Sequence, residues 1–294
     1  MQNRAFISIE EFLALPKDET LLFDVRSAVG NPGVGHELYL SSHASGARYL
    51  SFEGAFSGPV TGTNGRNPWP SREQVVEALA AAGASPDRTI VFMDGGSTPY
   101  ACRAWVCTKQ AGYPRVFVLE GGLARWQAMD LPVESGEDRL AKPEGRAPES
   151  KGLPNLEVLC VEEAHAELLK NHARFLDARP HPRWLGVVEP VDPFPGRIPG
   201  SLNRPEMDNF DASGRLKSPE TLRAEFDALL GEDHDPARII HLCGSGVAAC
   251  LNLLAFDLAY GLEPGTGRLY PGSWSEWCAD PTRPKAVGEP QRKA

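Results

Sequence analysis

Four blocks of this chain occur twice, in the same order and at similar spacing, and that duplication limits the folds open to it. Phe23-Asp24-Val25-Arg26-Ser27 returns as Leu176-Asp177-Ala178-Arg179-Pro180, and Ala44-Ser45-Gly46-Ala47 as Ile198-Pro199-Gly200-Ser201. Thr89-Ile90-Val91-Phe92-Met93-Asp94 returns as Arg238-Ile239-Ile240-His241-Leu242-Cys243. The segment from Val118 to Trp126, centred on Gly121-Gly122, returns as the segment from Leu269 to Trp277, centred on Gly272-Ser273. One block can match by chance; four in shared order point to a diverged internal repeat. A chain of 294 residues built this way reads as two lobes of one architecture, each large enough to bury its own core.

Within each repeat, short apolar runs alternate with amphipathic helical stretches, which predicts an α/β fold with mainly parallel sheets flanked by helices. Ser8-Ile9-Glu10-Glu11 and Ser71-Arg72-Glu73-Gln74 carry the capping-box pattern of a helix start, with Gly83 as the stop of the second helix. Ser218-Pro219 opens the matching helix of the second repeat, and Leu222, Phe226, Leu229 and Leu230 form its apolar stripe. The expected domains are residues 1–135 and 156–294, joined by a linker over 136–155 that is rich in proline, glycine and charge. The polar, proline-rich tail after Pro281 is expected to pack irregularly or to fray.

Composition excludes several functions. The formal net charge of −9 and the lack of a basic patch argue against nucleic acid as a partner. No run is long and apolar enough to span a bilayer, so no membrane role is expected, and the first residues lack a secretory pattern. The six cysteines (102, 107, 160, 243, 250 and 278) form no CxxC pair. The seven histidines (36, 43, 165, 172, 181, 234 and 241) show no ligand spacing, so neither a metal nor another cofactor is expected. Free thiols then imply a reducing, cytoplasmic setting.

Chemistry concentrates at Cys243. The apolar run before it reads as a buried strand, Gly244-Ser245-Gly246-Val247-Ala248 as a sharp loop, and Cys250 to Tyr260 as a helix. Loop amides and the helix N-terminus would point at the sulfur and favour its ionised form. Cys250, two turns along, reads as a core residue with a resolving thiol as the alternative.

The pattern resembles the tandem-rhodanese sulfurtransferases, and within them the 3-mercaptopyruvate sulfurtransferases, over roughly Ile7 to Pro281. The motifs that carry the likeness are Cys243-Gly244-Ser245-Gly246-Val247, Asp177-Ala178-Arg179 with Arg183-Trp184, Gly196 to Asn203, and the two G-G-x-x-x-W-like turns. The resemblance implies two rhodanese-like domains, of which the first is inactive, with Asp94 where a cysteine would stand. It also implies a sulfane sulfur carried from 3-mercaptopyruvate through a Cys243 persulfide to a thiol, redox-protein or cyanide acceptor. Cys243 and Ser245 are then the expected catalytic residues, with Ser245 delivering a proton or merely closing the loop. Arg183 is the candidate for the donor carboxylate, with a surface ion pair as its alternative. Gly244, Gly246, Val247 and Ala248 would present amides; Tyr100 would contact the donor, with interfacial packing as its alternative; and Arg197 would assist if it points inward, with an exposed turn residue as its alternative. Arg179 reads as structural, paired with Asp177.

The chain also departs from the family. Val191 falls where a second arginine is usual, Arg197 replaces a histidine, and Ala248 replaces a threonine. In Gly65-Arg66-Asn67-Pro68, Asn67 stands in the place of a histidine, and Glu53 is a weak substitute for the family's acid. Thiosulfate is the alternative donor, and a sulfur carrier without turnover the non-enzymatic alternative. A phosphatase is excluded, because Cys-x5-Arg would need arginine where Ala249 stands.

Overall fold

The computed structural model describes residues 4–31, 33–97, 99–138, 140, 143–149, 152–171 and 173–290. His172, several linker positions and the two ends of the chain lie outside that set. The chain divides into two compact units: residues 1–58, 69–154 and 210–216, and residues 59–68, 155–209 and 217–294. A segment of the first half, 59–68, thus belongs to the second unit, and 210–216 belongs to the first.

In the first unit, strands β1 (Phe6–Ile7), β2 (Thr20–Asp24), β4 (Ala47–Tyr49), β5 (Thr89–Met93) and β6 (Val116–Leu119) form one sheet, and β3 (His43–Ala44) and β7 (Val133–Glu134) a small antiparallel pair. Helices α1 (Ile9–Leu13), α2 (Val34–Ser41), α3 (Phe52–Phe56), α4 (Arg72–Ala81), α5 (Pro99–Ala111) and α6 (Gly122–Ala128) connect them. The main sheet is parallel, in the order β1-β6-β5-β2-β4. In the second unit, β8 (Leu156–Val158), β9 (Arg174–Asp177), β10 (Leu202–Asn203), β11 (Ile239–Leu242) and β12 (Gly267–Leu269) repeat it as β8-β12-β11-β9-β10, again parallel. Its helices are α7 (Val161–Lys170), α8 (His181–Leu185), α9 (Pro219–Leu230), α10 (Ala248–Tyr260) and α11 (Ser273–Ala279). Sequence duplication has become duplicated topology, because the apolar runs occupy equivalent strands.

The cores follow the same correspondence. Val91, Met93, Leu119 and Trp126 pack in one; Ile240, Leu242, Tyr270 and Trp277 pack in the other. Trp126 and Trp277 each donate their indole N–H to a proline carbonyl, Pro132 at 2.8 Å and Pro284 at 2.9 Å. Buried indoles need such partners.

Local details refine the expectations. Ser8 and Glu11 complete a full capping box. Ser71 accepts from the Gln74 amide, but the Gln74 side chain donates to the Gly54 and Ser57 carbonyls, so the second box is half formed. Helix α9 buries Leu222, Phe226 and Leu230, with Leu229 half-buried. The linker region is pinned to the first unit by backbone bonds from Gly136 to Leu40, Arg146 to Ala84 and Gly152 to Gln110. The tail does not fray before residue 290: Arg197 and Ala286 form a β-bridge, and the Gly288 amide donates to the Leu185 carbonyl at 2.8 Å. Among the described residues no helix is long and apolar enough to cross a membrane, and no group of side chains suits a metal ion.

Candidate active site

Cys243 directly follows β11 and precedes α10 by one short loop. Its amide donates to Ser273 Oγ at 3.0 Å, and its carbonyl accepts from the Trp274 amide at 3.0 Å. Gly244 accepts from the Ser275 amide at 2.9 Å, so the loop is tied to the start of α11. The Gly246 amide donates to Cys243 Sγ at 3.1 Å, which Gly246 reaches with φ +75°, a conformation glycine adopts without strain. Among the amides from Gly244 to Ala248, this is the one that bonds the sulfur. Cys250 is buried and donates its thiol to the Gly246 carbonyl at 3.2 Å, which fits its reading as a core residue.

Ser273 was not legible as a site residue. It occupies φ +57° where the first repeat has Gly122 at φ +50°. That left-handed conformation is unfavourable for serine. Its hydroxyl nevertheless donates to the Tyr270 carbonyl at 3.0 Å and holds the Cys243 amide. The only sequence signal was the glycine-to-serine mismatch between the repeats.

Ser245 is buried, and its Oγ accepts from Asn67 Nδ2 at 2.9 Å. Asn67 belongs to the second unit through segment 59–68. Glu53 lies in the first unit, where Ser27 Oγ donates to it. Tyr100 is also in the first unit, on α5, with its ring edge-on to Phe52 at 4.9 Å and its amide bonded to Asp94.

Charge enters the site from outside the loop. A Cβ built on Gly244 would sit 2.8 Å from Arg66 Nη2, 3.6 Å from Arg183 Nη1 and 3.8 Å from Arg179 Cδ. Three arginines therefore ring the residue next to Cys243. Arg183 is largely buried and pairs with Glu189 at 2.7 Å and Asp192 at 3.1 Å, so it is not a surface ion pair. Arg66 pairs with Asp192 and donates its amide to Ser275 Oγ at 3.1 Å. Burial and then Arg183 lower the pKa of Arg66, against which Cys243 and Glu189 favour its charged form. Arg179 grips Asp177 at 2.7 Å and the Gly196 carbonyl at 2.8 Å, and its guanidinium lies 5.0 Å from the Trp274 ring centre. Its structural reading stands. Arg66, Glu189 and Asp192 carry the site's electrostatics and were not among the expected site residues; Arg66 lies far from Cys243 in sequence, and a lone arginine there gives no signal.

Arg197 takes another direction from the one considered. Its guanidinium stacks 4.2 Å over Trp184 and donates to the Gly288 carbonyl at 2.7 Å. It anchors the tail, and none of its hydrogen bonds goes to the cysteine loop.

With this geometry in hand, the chain can be set beside known proteins. The rhodanese-like domain family matches residues 8–129. A protein of Pseudomonas aeruginosa named "Probable 3-mercaptopyruvate sulfurtransferase" is 37% identical over 98% of this chain and 100% of its own length. The chain belongs to the rhodanese-type sulfurtransferase family. Bovine thiosulfate sulfurtransferase is 30% identical over 81% of this chain and 78% of its own. The crystal structure of SseA from Escherichia coli, presented as a 3-mercaptopyruvate sulfotransferase, is 29% identical with a TM-score of 0.74, covering 93% of this chain and all of that one. This sulfurtransferase is accordingly an enzyme of two rhodanese-like sheets, as the repeat and its resemblance implied.

Proposed function

We propose that this sulfurtransferase moves the sulfur of 3-mercaptopyruvate through a persulfide on Cys243 to a thiol, redox-protein or cyanide acceptor. The observation that carries the reading is the Gly246 amide donating to Cys243 Sγ at 3.1 Å at the entrance to α10. An amide dipole fixed on that sulfur stabilises negative charge there without a metal. The relative named for 3-mercaptopyruvate spans nearly the whole chain, which favours that donor.

The chemistry balances in two steps. The Cys243 thiolate attacks the donor sulfur; the carbon–sulfur bond breaks, and its electron pair leaves on carbon as the enolate of pyruvate, which takes up a proton. Acceptor thiolate or cyanide then attacks the outer sulfur of the persulfide, and Cys243 departs as thiolate. Such alternation gives ping-pong kinetics. Arg183, with Arg66, faces the position beside Cys243 where the donor carboxylate belongs. On this reading the amides of Gly244, Val247 and Ala248 receive the outer sulfur. Tyr100 is retained as a proposed donor contact on the family resemblance alone. Arg197, stacked on Trp184 and donating Nη1 to the Gly288 carbonyl, is assigned to the tail.

Thiosulfate is a second reading, supported by the arginines around Gly244 and by the bovine relative's name. Intact-mass analysis after mixing with each donor distinguishes them. One added sulfur, absent in Cys243→Ser, is expected with 3-mercaptopyruvate together with release of pyruvate. No added sulfur with either donor would overturn the persulfide reading.

A further inference from the structure

The arginine cluster beside Cys243 already holds carboxylates of the protein itself. Arg66, Arg179 and Arg183 face Asp177, Glu189 and Asp192, so the fixed charges balance. The acids are held differently. Asp177 is bound along its whole face by the Arg179 side chain and amide. Glu189 bonds Arg183, lies 3.7 Å from Arg179, and also accepts the amides of Val191 at 3.0 Å and Asp192 at 2.9 Å. It therefore fixes the fold of its own loop. Asp192 differs: among the described residues its carboxylate is held by two arginine side chains, Arg66 on Oδ1 and Arg183 on Oδ2. No backbone amide among the described residues binds it.

The cluster has donors left over. Arg66 Nε and Arg179 Nη1 are buried with no hydrogen-bond partner among the described residues. Buried donors of this kind are costly unless a ligand or water meets them. Arg179 is 2% exposed, so its open donor is not facing bulk solvent. The seat offers more N–H groups than the resident carboxylates take up, and it abuts Gly244, the residue after the nucleophile.

We propose that Asp192 is a resident carboxylate in the seat that receives the donor's anionic group, and that it sets donor preference by charge. This rests on sulfur transfer at Cys243. An incoming anion shares or takes over the Arg66 and Arg183 forks and meets the Asp192 charge at close range. That repulsion scales with donor charge, so it acts on the carboxylate of 3-mercaptopyruvate once and on dianionic thiosulfate twice. Asp192 is thus a specificity-determining residue, excluding the more highly charged donor from a cluster that would otherwise attract it.

The test is Asp192→Asn, which keeps the shape and removes the charge. If KM for 3-mercaptopyruvate falls about tenfold, KM for thiosulfate must fall about a hundredfold, since the logarithm of the effect follows the charge product. Asp192→Glu, which keeps the charge, must retain the wild-type preference. A purely structural role would lower kcat for both donors and leave their ratio unchanged, which overturns the proposal. Sulfate titration by calorimetry, in a Cys243→Ser background with and without Asp192→Asn, gives a readout free of turnover. Sulfate should bind about a hundredfold more tightly once the Asp192 charge is gone. Equal sulfate affinity in the two proteins rejects the seat. If the wild type turns over neither donor, the proposed reaction fails while the titration still decides the role of Asp192. Should Asp192→Asn not fold, Asp192→Ser serves for both measurements.

Discussion

The loops that follow the central strands of the two sheets are tied in the same way to the start of a later helix and open on different side chains, Asp94 and Cys243. After β5, the Asp94 carboxylate accepts from the amides of Gly96 at 3.1 Å, Tyr100 at 3.1 Å and Ala101 at 3.3 Å. After β11, Cys243 Sγ accepts from Gly246 at 3.1 Å. The carbonyls of Asp94 and Gly95 bind the amides of Leu123 and Ala124 at the start of α6, as those of Cys243 and Gly244 bind Trp274 and Ser275 at the start of α11. Both loops aim backbone amides at the side chain of their first residue, which is a carboxylate at Asp94 in the first unit and a sulfur at Cys243 in the second. On the proposed reaction, the fold supplies the dipoles, while the side chain and the arginines around Gly244 make the difference between the two loops.

The largest effects separate the two loops. Cys243→Ser should reduce sulfur transfer by at least about a thousandfold, because hydroxyl cannot replace an ionised thiol as sulfur acceptor. The protein should keep its circular dichroism spectrum and melting temperature; loss of fold would mean that the side chain is structural. Asp94→Ala should do the reverse. It orphans three amides, one buried and two part-buried, and should destabilise the first unit by about 2 kcal/mol in denaturant titration, with transfer retained below the melting range. Asp94→Cys sharpens the contrast by placing a thiol on the inert loop. No persulfide should form at the new thiol, and one that formed as fast as at Cys243 would show the arginines to be dispensable.

The next effect compares the strands that lead into the loops. Phe92 in β5 corresponds to His241 in β11, and both are buried. His241 Nδ1 has no hydrogen-bond partner among the described residues, and burial pushes its pKa down from 6.5 to about 3. The folded protein therefore keeps this ring neutral where the unfolded chain binds a proton. Its contribution to stability is present above pH 6.5 and is lost as pH falls toward 3, by about 1.4 kcal/mol per pH unit. His241→Phe, which copies the first sheet, should remove that slope from the second unit. Denaturant unfolding at pH 7 and pH 5 checks it; an unchanged difference between the two would mean that the ring is solvated or paired.

How far the sequence revealed this site depended on the range of the contact involved. The strand–loop–helix around Cys243, the Asp177–Arg179 clasp and the paired Trp126 and Trp277 arise from local pattern repeated in both halves, so they were legible. Asn67 was legible only through the family motif, in which it stands in the place of a histidine, and it does bond Ser245; Arg66 was not, because segment 59–68 leaves its own half to pack in the second unit, and no local propensity encodes that. Ser273 hid behind an unfavourable φ that sequence alone assigns to glycine. Arg197 was placed in a motif by position, but stacking on Trp184 and the tail carbonyls decided its direction.

The smallest effect concerns Ser245, which has no counterpart at Gly96 in the loop after β5. Its partner Asn67 carries an amide that does not titrate, so the pair can orient a hydroxyl and cannot act as a base. Ser245→Ala and Asn67→Ala should each slow transfer severalfold. A double-mutant cycle should return a coupling of about 1 kcal/mol, the usual size for one neutral hydrogen bond. Neither variant should change the shape of the pH–rate profile, since neither removes a titrating group. Asn67→His should change it, by adding an inflection near the ordinary histidine range of about 6.5 that Ser245→Ala then abolishes. A wild-type inflection lost in Asn67→Ala would instead show that a titrating group acts through this pair, and the second loop would owe part of its reactivity to a proton relay as well as to its dipoles.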